Sequence, residues 1–172
     1  MSKAAHGLPI RAAPYRHQRE AADFALEHLK AGGGAALLME MGTGKTLTSI
    51  AIVGQLWNEK RIQRLLIVAP LSILGVWRDE FAKFAAYDYS LAVLEGTGAK
   101  KADTIRHMSG RALQVLVVNY ESTWRLEKEL IRWKPDMIVC DEGHKIKTHN
   151  IAASKAMHRL SAVAHLVFYL IG

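Results

Sequence analysis

Apolar positions along this chain fall into two rhythms. The first is a short aliphatic run with little or no alternation, seen at residues 35–38, 65–69, 113–118 and 137–140. Such runs read as strands, and the one at 65–69 as a strand buried on both faces of a parallel sheet. The second is helical spacing, as in Ala21, Phe24, Ala25 and Leu29, or Val76, Trp77, Glu80, Phe81 and Phe84. The pattern predicts an extended arm over 1–14, a helix over 15–30 ended by Gly32-Gly33-Gly34, and a strand over 35–40. A helix over 47–57, a strand over 65–69 closed by Pro70, and a helix through 76–84 come next. Residues 90–94 read as a strand, and 96–111 as a polar loop with a short helix. The remainder gives a strand over 113–119, a helix over 122–133 stopped by Pro135, a strand over 136–140, a helix near 151–160 and a strand over 165–171. Strands alternating with helices predict an α/β fold, a mainly parallel sheet with helices on both faces. Ligands of such sheets bind beyond the carboxyl ends of the strands. Residues 40–46, Pro70, Asn119-Tyr120 and Asp141-Glu142 all fall there.

The first of those ends carries chemistry. Met39-Glu40-Met41-Gly42-Thr43-Gly44-Lys45-Thr46 stands between a strand and a helix. Glycines in such a turn let backbone N–H groups close around phosphate oxygens, and the helix adds its positive end. Lys45 is placed to reach the β- and γ-phosphates and Thr46 to place its hydroxyl on Mg²⁺. The usual spacing begins with a glycine where this chain has Met39. Met41, Gly42, Thr43, Gly44, Lys45 and Thr46 are therefore the candidate nucleotide-binding residues, with ATP and Mg²⁺ as cofactors.

Two acids follow the strand at 136–140. Asp141 is expected to hold Mg²⁺ opposite Thr46, and Glu142 to orient and deprotonate the attacking water. Lys45, Asp141 and Glu142 form the candidate catalytic set, and His144 is placed to couple the nucleotide to the rest of the machine.

Composition narrows the partners. The chain has 172 residues, a net charge of +7 and a single cysteine, Cys140. Its pI of about 9.6 suits a polyanion such as nucleic acid. One cysteine allows no internal disulfide, which points to an intracellular compartment. No apolar run approaches a membrane span, so no membrane partner is expected. Cys140 reads as a buried strand residue, and Lys100, Lys101 and Arg106 as a solvated face.

Taken together, these residues resemble superfamily II helicases and translocases, most closely the Swi/Snf branch, whose members move on duplex DNA. Residues 40–46 look like that branch's phosphate loop, and Asp141-Glu142-Gly143-His144-Lys145-Ile146-Lys147 like its second motif. Residues 66–77, with Pro70-Leu71-Ser72 and Trp77, resemble motif Ia, which contacts the nucleic-acid backbone in the family. Val117-Val118-Asn119-Tyr120-Glu121 is similar to the motif that follows. Pro14-Tyr15-Arg16-His17-Gln18 looks like the glutamine motif, in which Gln18 reads adenine. The resemblance implies a three-layer RecA-like P-loop NTPase lobe over 14–172, preceded by an arm over 1–13. It also implies nucleic-acid contacts at Pro70, Leu71, Ser72, Trp77, Tyr120, Lys145 and Lys147. Helical spacing alone reads Trp77, Phe81 and Phe84 as core.

The expected function is the ATP-binding lobe of a Swi/Snf-type DNA-dependent ATPase, with duplex DNA favoured over RNA. The expected compartment is the cytoplasm for a bacterial or phage protein and the nucleus for a eukaryotic one. The family's motif III reads Leu-Thr-Gly-Thr-Pro, whereas this sequence gives Leu170-Ile171-Gly172 and ends. The second RecA-like lobe is thus expected to be missing and the 172-residue chain nearly inactive by itself. Two alternatives stand: a DEAD/DEAH-type RNA or single-strand helicase lobe, and a non-hydrolysing adaptor that binds nucleotide or nucleic acid.

Overall fold

The computed structural model describes residues 7–40, 42–144 and 151–172. Its elements run α1 (Arg16–Lys30), β1 (Ala35–Leu38), α2 (Lys45–Asn58), β2 (Arg64–Ala69), α3 (Leu74–Phe84) and β3 (Tyr89–Val93). They continue α4 (Gly98–His107), β4 (Leu113–Asn119), α5 (Tyr120–Arg125), α6 (Glu127–Trp133), β5 (Met137–Cys140), α7 (Ile151–Val163) and β6 (Leu166–Ile171). A single turn of 3₁₀ helix, Leu71–Ile73, joins β2 to α3.

The strands form one sheet in the order β1-β6-β5-β2-β4-β3, and every pairing is parallel. Alternate side chains of each strand enter different cores. Leu65 and Ile67 of β2, Val115 and Val117 of β4, and Val139 of β5 meet α1, α2 and α3. Leu66, Val68, Leu116, Val118, Ile138 and Cys140 meet α4, α6 and α7. The three-layer α/β arrangement is the one expected from strands alternating with helices and from the family resemblance. Cover is thinner at the β1 end, where Leu38 is exposed and the residues of β6 are alternately buried and half-buried.

Polar groups tie the layers together. Asp136 sits just before β5, where its Oδ2 accepts the backbone N–H groups of Gln63 and Arg64 at 2.8 and 2.9 Å. The arm is docked along residues 8–11: Arg11 donates its N–H to the Phe84 carbonyl at 2.8 Å, and Ala86 donates to Pro9 at 3.1 Å. Leu8 and Ile10 pack against the core from there.

Three local expectations are corrected. Phe24 is 53% exposed, because the buried stripe of α1 runs through Gln18, Ala22, Ala25, Leu26 and Leu29. Phe24 packs instead against the His28 ring, at 4.2 Å between centroids. The helix expected over 122–133 is two helices that meet at Leu126, whose φ of −108° and ψ of 13° leave the helical region. The short helix expected within 96–111 is a full α4, capped by Thr97, whose Oγ1 accepts the Lys100 N–H at 3.2 Å.

Candidate nucleotide site and nucleic-acid edge

The carboxyl ends of β1, β6, β5, β2 and β4 lie along one edge of the sheet, because all their pairings are parallel. That edge gathers the phosphate loop, Gly172, Asp141-Glu142, Pro70 and Asn119. Two larger cavities, about 420 and 680 Å³, are lined by Arg64 and by Asp136 at the opposite edge.

The loop between β1 and α2 is shaped by its glycines. Gly42 and Gly44 have φ of 78° and 84°, a region that side chains with a Cβ rarely occupy. The turn lets α2 begin at Lys45, two residues earlier than its apolar spacing suggests. Lys45 and Thr46 therefore stand in the first helical turn, whose backbone N–H groups have no intrahelical acceptor and carry the positive end of the dipole. The Thr43 N–H and hydroxyl both donate to the Glu40 carbonyl, at 3.3 and 2.5 Å. Met41 lies outside the described residues.

Gln18 fixes this loop to α1. Its Oε1 accepts the Tyr15 N–H at 2.9 Å, closing a capping box, and its Nε2 donates to the Thr43 carbonyl at 3.0 Å. His17 Nε2 lies 3.3 Å from the same carbonyl. The residue expected to read adenine is thus buried and bonded at both ends of its amide, as a strut beneath the loop.

Lys45 lies against the end of β6. A Cβ built on Gly172 would overlap Lys45 Nζ and come within 3.2 Å of its Cε and of the Met39 carbonyl. The ammonium is also close enough to Asp141 to draw its carboxyl downward. Burial outweighs that pull and holds the Asp141 carboxyl above the usual range, with the Glu142 carboxylate adding to the rise. The Trp77 indole N–H, the Glu142 backbone N–H and Lys45 oppose it.

Asp141 is the best-anchored residue at this edge. Its N–H donates to the Val68 carbonyl at 2.8 Å, its Oδ2 accepts Trp77 Nε1 at 3.0 Å, and its carbonyl accepts the Tyr120 hydroxyl at 2.6 Å. Glu142 follows with φ of 54°, a strained position for a residue with a Cβ and common at functional sites. Its Oε2 lies 3.3 Å from His144 Nε2. Among the described residues no group of three or more His, Cys, Asp or Glu could hold a metal. The oxygen donors Thr46 and Asp141 suit Mg²⁺ that takes the rest of its shell from phosphates and water.

Two of the expected nucleic-acid residues, Trp77 and Tyr120, are 2% and 1% exposed, with Trp77 in the core as its helical spacing indicates. Both point inward, where their polar atoms find Asp141. Pro70 is half-buried and Leu71 and Ser72 are exposed, as a contact segment requires. Lys145 and Lys147 lie outside the described residues. The edge also holds Ser122 and Arg125, which sequence reasoning passed over. With Leu71, Gly98, Asn119 and Lys101, the last read as part of a solvated face, they line a cavity of about 320 Å³. Lys101 donates to the Ser122 hydroxyl at 3.0 Å, and Asn119 Oδ1 is buried with no hydrogen-bond partner among the described residues. The cap at Thr97 was the available signal, since it places Lys101 in the first turn of α4.

Known proteins share this arrangement. The SNF2-related domain pattern matches residues 17–168. The ISWI chromatin-remodeling complex ATPase ISW2 of Saccharomyces cerevisiae is 38% identical over 118 residues, 67% of this chain and 10% of that protein. A DNA repair and recombination protein RAD54-like of Drosophila persimilis is 30% identical over 159 residues, 82% of this chain and 20% of that protein. The SWI2/SNF2 ATPase core of Sulfolobus solfataricus, solved in complex with dsDNA, superposes with a TM-score of 0.80 at 25% identity, over 97% of this chain and 33% of that one. This chain spans 10% and 20% of the length of the two sequence relatives. The Swi/Snf likeness of its motifs, the RecA-like three-layer fold and the match across residues 17–168 agree, and the chain belongs to the SNF2-related domain family.

Proposed function

We propose that this chain is the ATP-binding lobe of a Swi/Snf-type DNA-dependent ATPase, working with a second RecA-like lobe on duplex DNA. The observation that carries the reading is the convergence of Lys45, in the first turn of α2, with the Asp141 carboxylate at one sheet edge. A lysine and a metal-binding acid facing a helix N-terminus form a cradle for a nucleotide triphosphate.

Lys45 and the free N–H groups of α2 hold the β- and γ-phosphates. Thr46 and Asp141 hold Mg²⁺, which neutralises charge developing on the phosphoryl oxygens when bound. Glu142 orients the attacking water and takes its proton, with His144 on its far oxygen. Pro70, Leu71 and Ser72, together with Lys101 and Arg125, carry the DNA backbone; by the motif resemblance alone, Lys145 and Lys147 are further contacts. The dsDNA-bound core among the structural neighbours supports duplex over RNA. Chromatin-remodeling and DNA-repair relatives support work in the compartment that holds DNA, the nucleus in a eukaryote. No helix among the described residues is long and apolar enough to cross a membrane.

Titration with a fluorescent ATP analogue and Mg²⁺ tests the reading. Wild-type protein is expected to bind in a Mg²⁺-dependent manner and Lys45→Ala to lose binding at least about 10-fold, the loss of one charge-assisted contact. Equal binding by both proteins overturns the site.

A further inference from the structure

Asp141 receives one buried donor from each of two segments, at 70–77 and 119–122, that line the cavity proposed above to lie on the DNA path. The 3₁₀ turn Leu71–Ile73 is followed directly by α3, and Trp77 lies in the opening turn of that helix. Its indole N–H donates to Asp141 Oδ2 at 3.0 Å, in a contact closed to solvent. Tyr120 follows Asn119 directly at the end of β4, and its hydroxyl donates to the Asp141 carbonyl at 2.6 Å. One donor fixes the carboxylate, the other the backbone that carries it. Within α3, Phe81 is equally buried and packs on Trp77 at 6.4 Å between centroids, but it has no polar atom to offer.

We propose that Trp77 and Tyr120 are positioning residues that transmit DNA contact at residues 70–72 and 119–122 to the Mg²⁺-binding carboxylate of Asp141. The proposal rests on the nucleotide and DNA reading above. A hydrogen bond weakens steeply with distance and angle. A small shift of either segment on the DNA backbone therefore changes how Asp141 presents its carboxylate to the metal. Both donors are anchored in the core, so the shift is not absorbed by loose side chains. By linkage the effect is reciprocal: DNA alters the Mg²⁺ requirement for nucleotide, and Mg²⁺-nucleotide alters DNA affinity by the same factor.

The test measures the Mg²⁺ concentration for half-maximal binding of a non-hydrolysable ATP analogue to the 172-residue chain, with and without a 30-base-pair duplex. Trp77→Phe removes the N–H and keeps most of the ring. Tyr120→Phe removes only the hydroxyl. Phe81→Leu disturbs the same core without touching Asp141, so melting temperature separates core damage from positioning. Duplex is expected to shift the wild-type Mg²⁺ midpoint. Trp77→Phe should raise that midpoint about 10-fold, the size of losing one hydrogen bond to a charged group, and abolish the duplex effect. Tyr120→Phe should reduce the duplex effect, whereas Phe81→Leu should lower the melting temperature and leave both readouts in place. A wild-type Mg²⁺ midpoint and duplex shift in Trp77→Phe overturn the link alone, as do equal changes in Trp77→Phe and Phe81→Leu. Failure of the wild type to bind Mg²⁺-nucleotide at all overturns the parent reading, and the link with it.

Discussion

The α-carbon of Gly44 lies against the side-chain amide of Gln18. A Cβ built on Gly44 would collide with Gln18 Nε2 and lie 3.3 Å from its Cδ. Two penalties therefore act on Gly44→Ala: the left-handed φ of 84°, worth about 1–2 kcal/mol, and displacement of the amide that bonds Thr43. The variant should unfold at lower denaturant and lose nucleotide binding. Adding Gln18→Ala should relieve the collision but not the φ strain. The double variant is thus expected to be more stable than the two single losses predict, and a thermodynamic cycle measures the difference. Strict additivity would show that the amide and the glycine are independent.

Glu142 and Asp141 are separable by substitution. Glu142→Gln keeps the shape and removes the base, so nucleotide affinity should stay within about 2-fold while turnover falls by about 10²–10⁴ in a form extended through the second lobe. Asp141→Asn should instead weaken Mg²⁺-dependent binding. It keeps an oxygen for Trp77 Nε1, so the fold should survive. Stopped-flow binding paired with steady-state ATPase distinguishes the two outcomes.

Cys140 is expected to be inert. Burial pushes its thiol up to about 12, with the Asp141 charge adding to the rise, so the reactive thiolate is a minute fraction at pH 8. Iodoacetamide should leave the native protein unmodified at that pH and label it fully in denaturant. Rapid native labelling would mean that the end of β5 opens locally. Cys140→Ser places a hydroxyl in the same apolar site and should cost about 1–3 kcal/mol.

DNA binding should weaken with salt. Backbone contacts from Lys101 and Arg125 would release counterions, with a log–log slope of about −0.9 for each neutralised phosphate, whereas the uncharged residues 70–72 add none. Removing Lys101 should flatten that slope by about one such contact and weaken different sequences equally. A fluorescence anisotropy series across salt concentrations checks this, and an unchanged slope would place Lys101 off the path.

What could be read beforehand follows from how locally each feature is encoded. Aliphatic runs announced β2, β4 and β5 because a strand buried on both faces leaves little place for polar residues, Gln114 of β4 being a buried exception. Glycines, lysine and paired acids announced the phosphate edge because their chemistry is tied to strand ends. Side-chain direction is a different matter. Helical spacing already reads Trp77 as core, but the bonds of Trp77 and Tyr120 to Asp141 are not legible, because Asp141 approaches only once β5 has paired with β2. Phe24 follows the apolar spacing of α1, but the phase of its stripe is set by Gln18 reaching the phosphate loop. No glycine or proline marks the break at Leu126, so the apolar pattern runs through it.

The place of β1 at the rim of the sheet governs when the site comes into being. Its one strand neighbour is β6, with Ala35 opposite Phe168 and Leu38 opposite Ile171. Everything from α2 to α7 is made in between. At ribosomal rates of about 5–20 residues per second, an interval on the order of ten seconds separates the two partners. By its end β2, β3, β4 and β5 have been made and can pair with one another, while the strand that carries the phosphate loop still waits for β6. Closing so long a loop comes late for entropic reasons as well. A nascent chain is thus expected to bind nucleotide only after β6 docks beside β1. Nucleotide then acts by mass action on chains in which these two strands have paired, drawing the population toward that pairing.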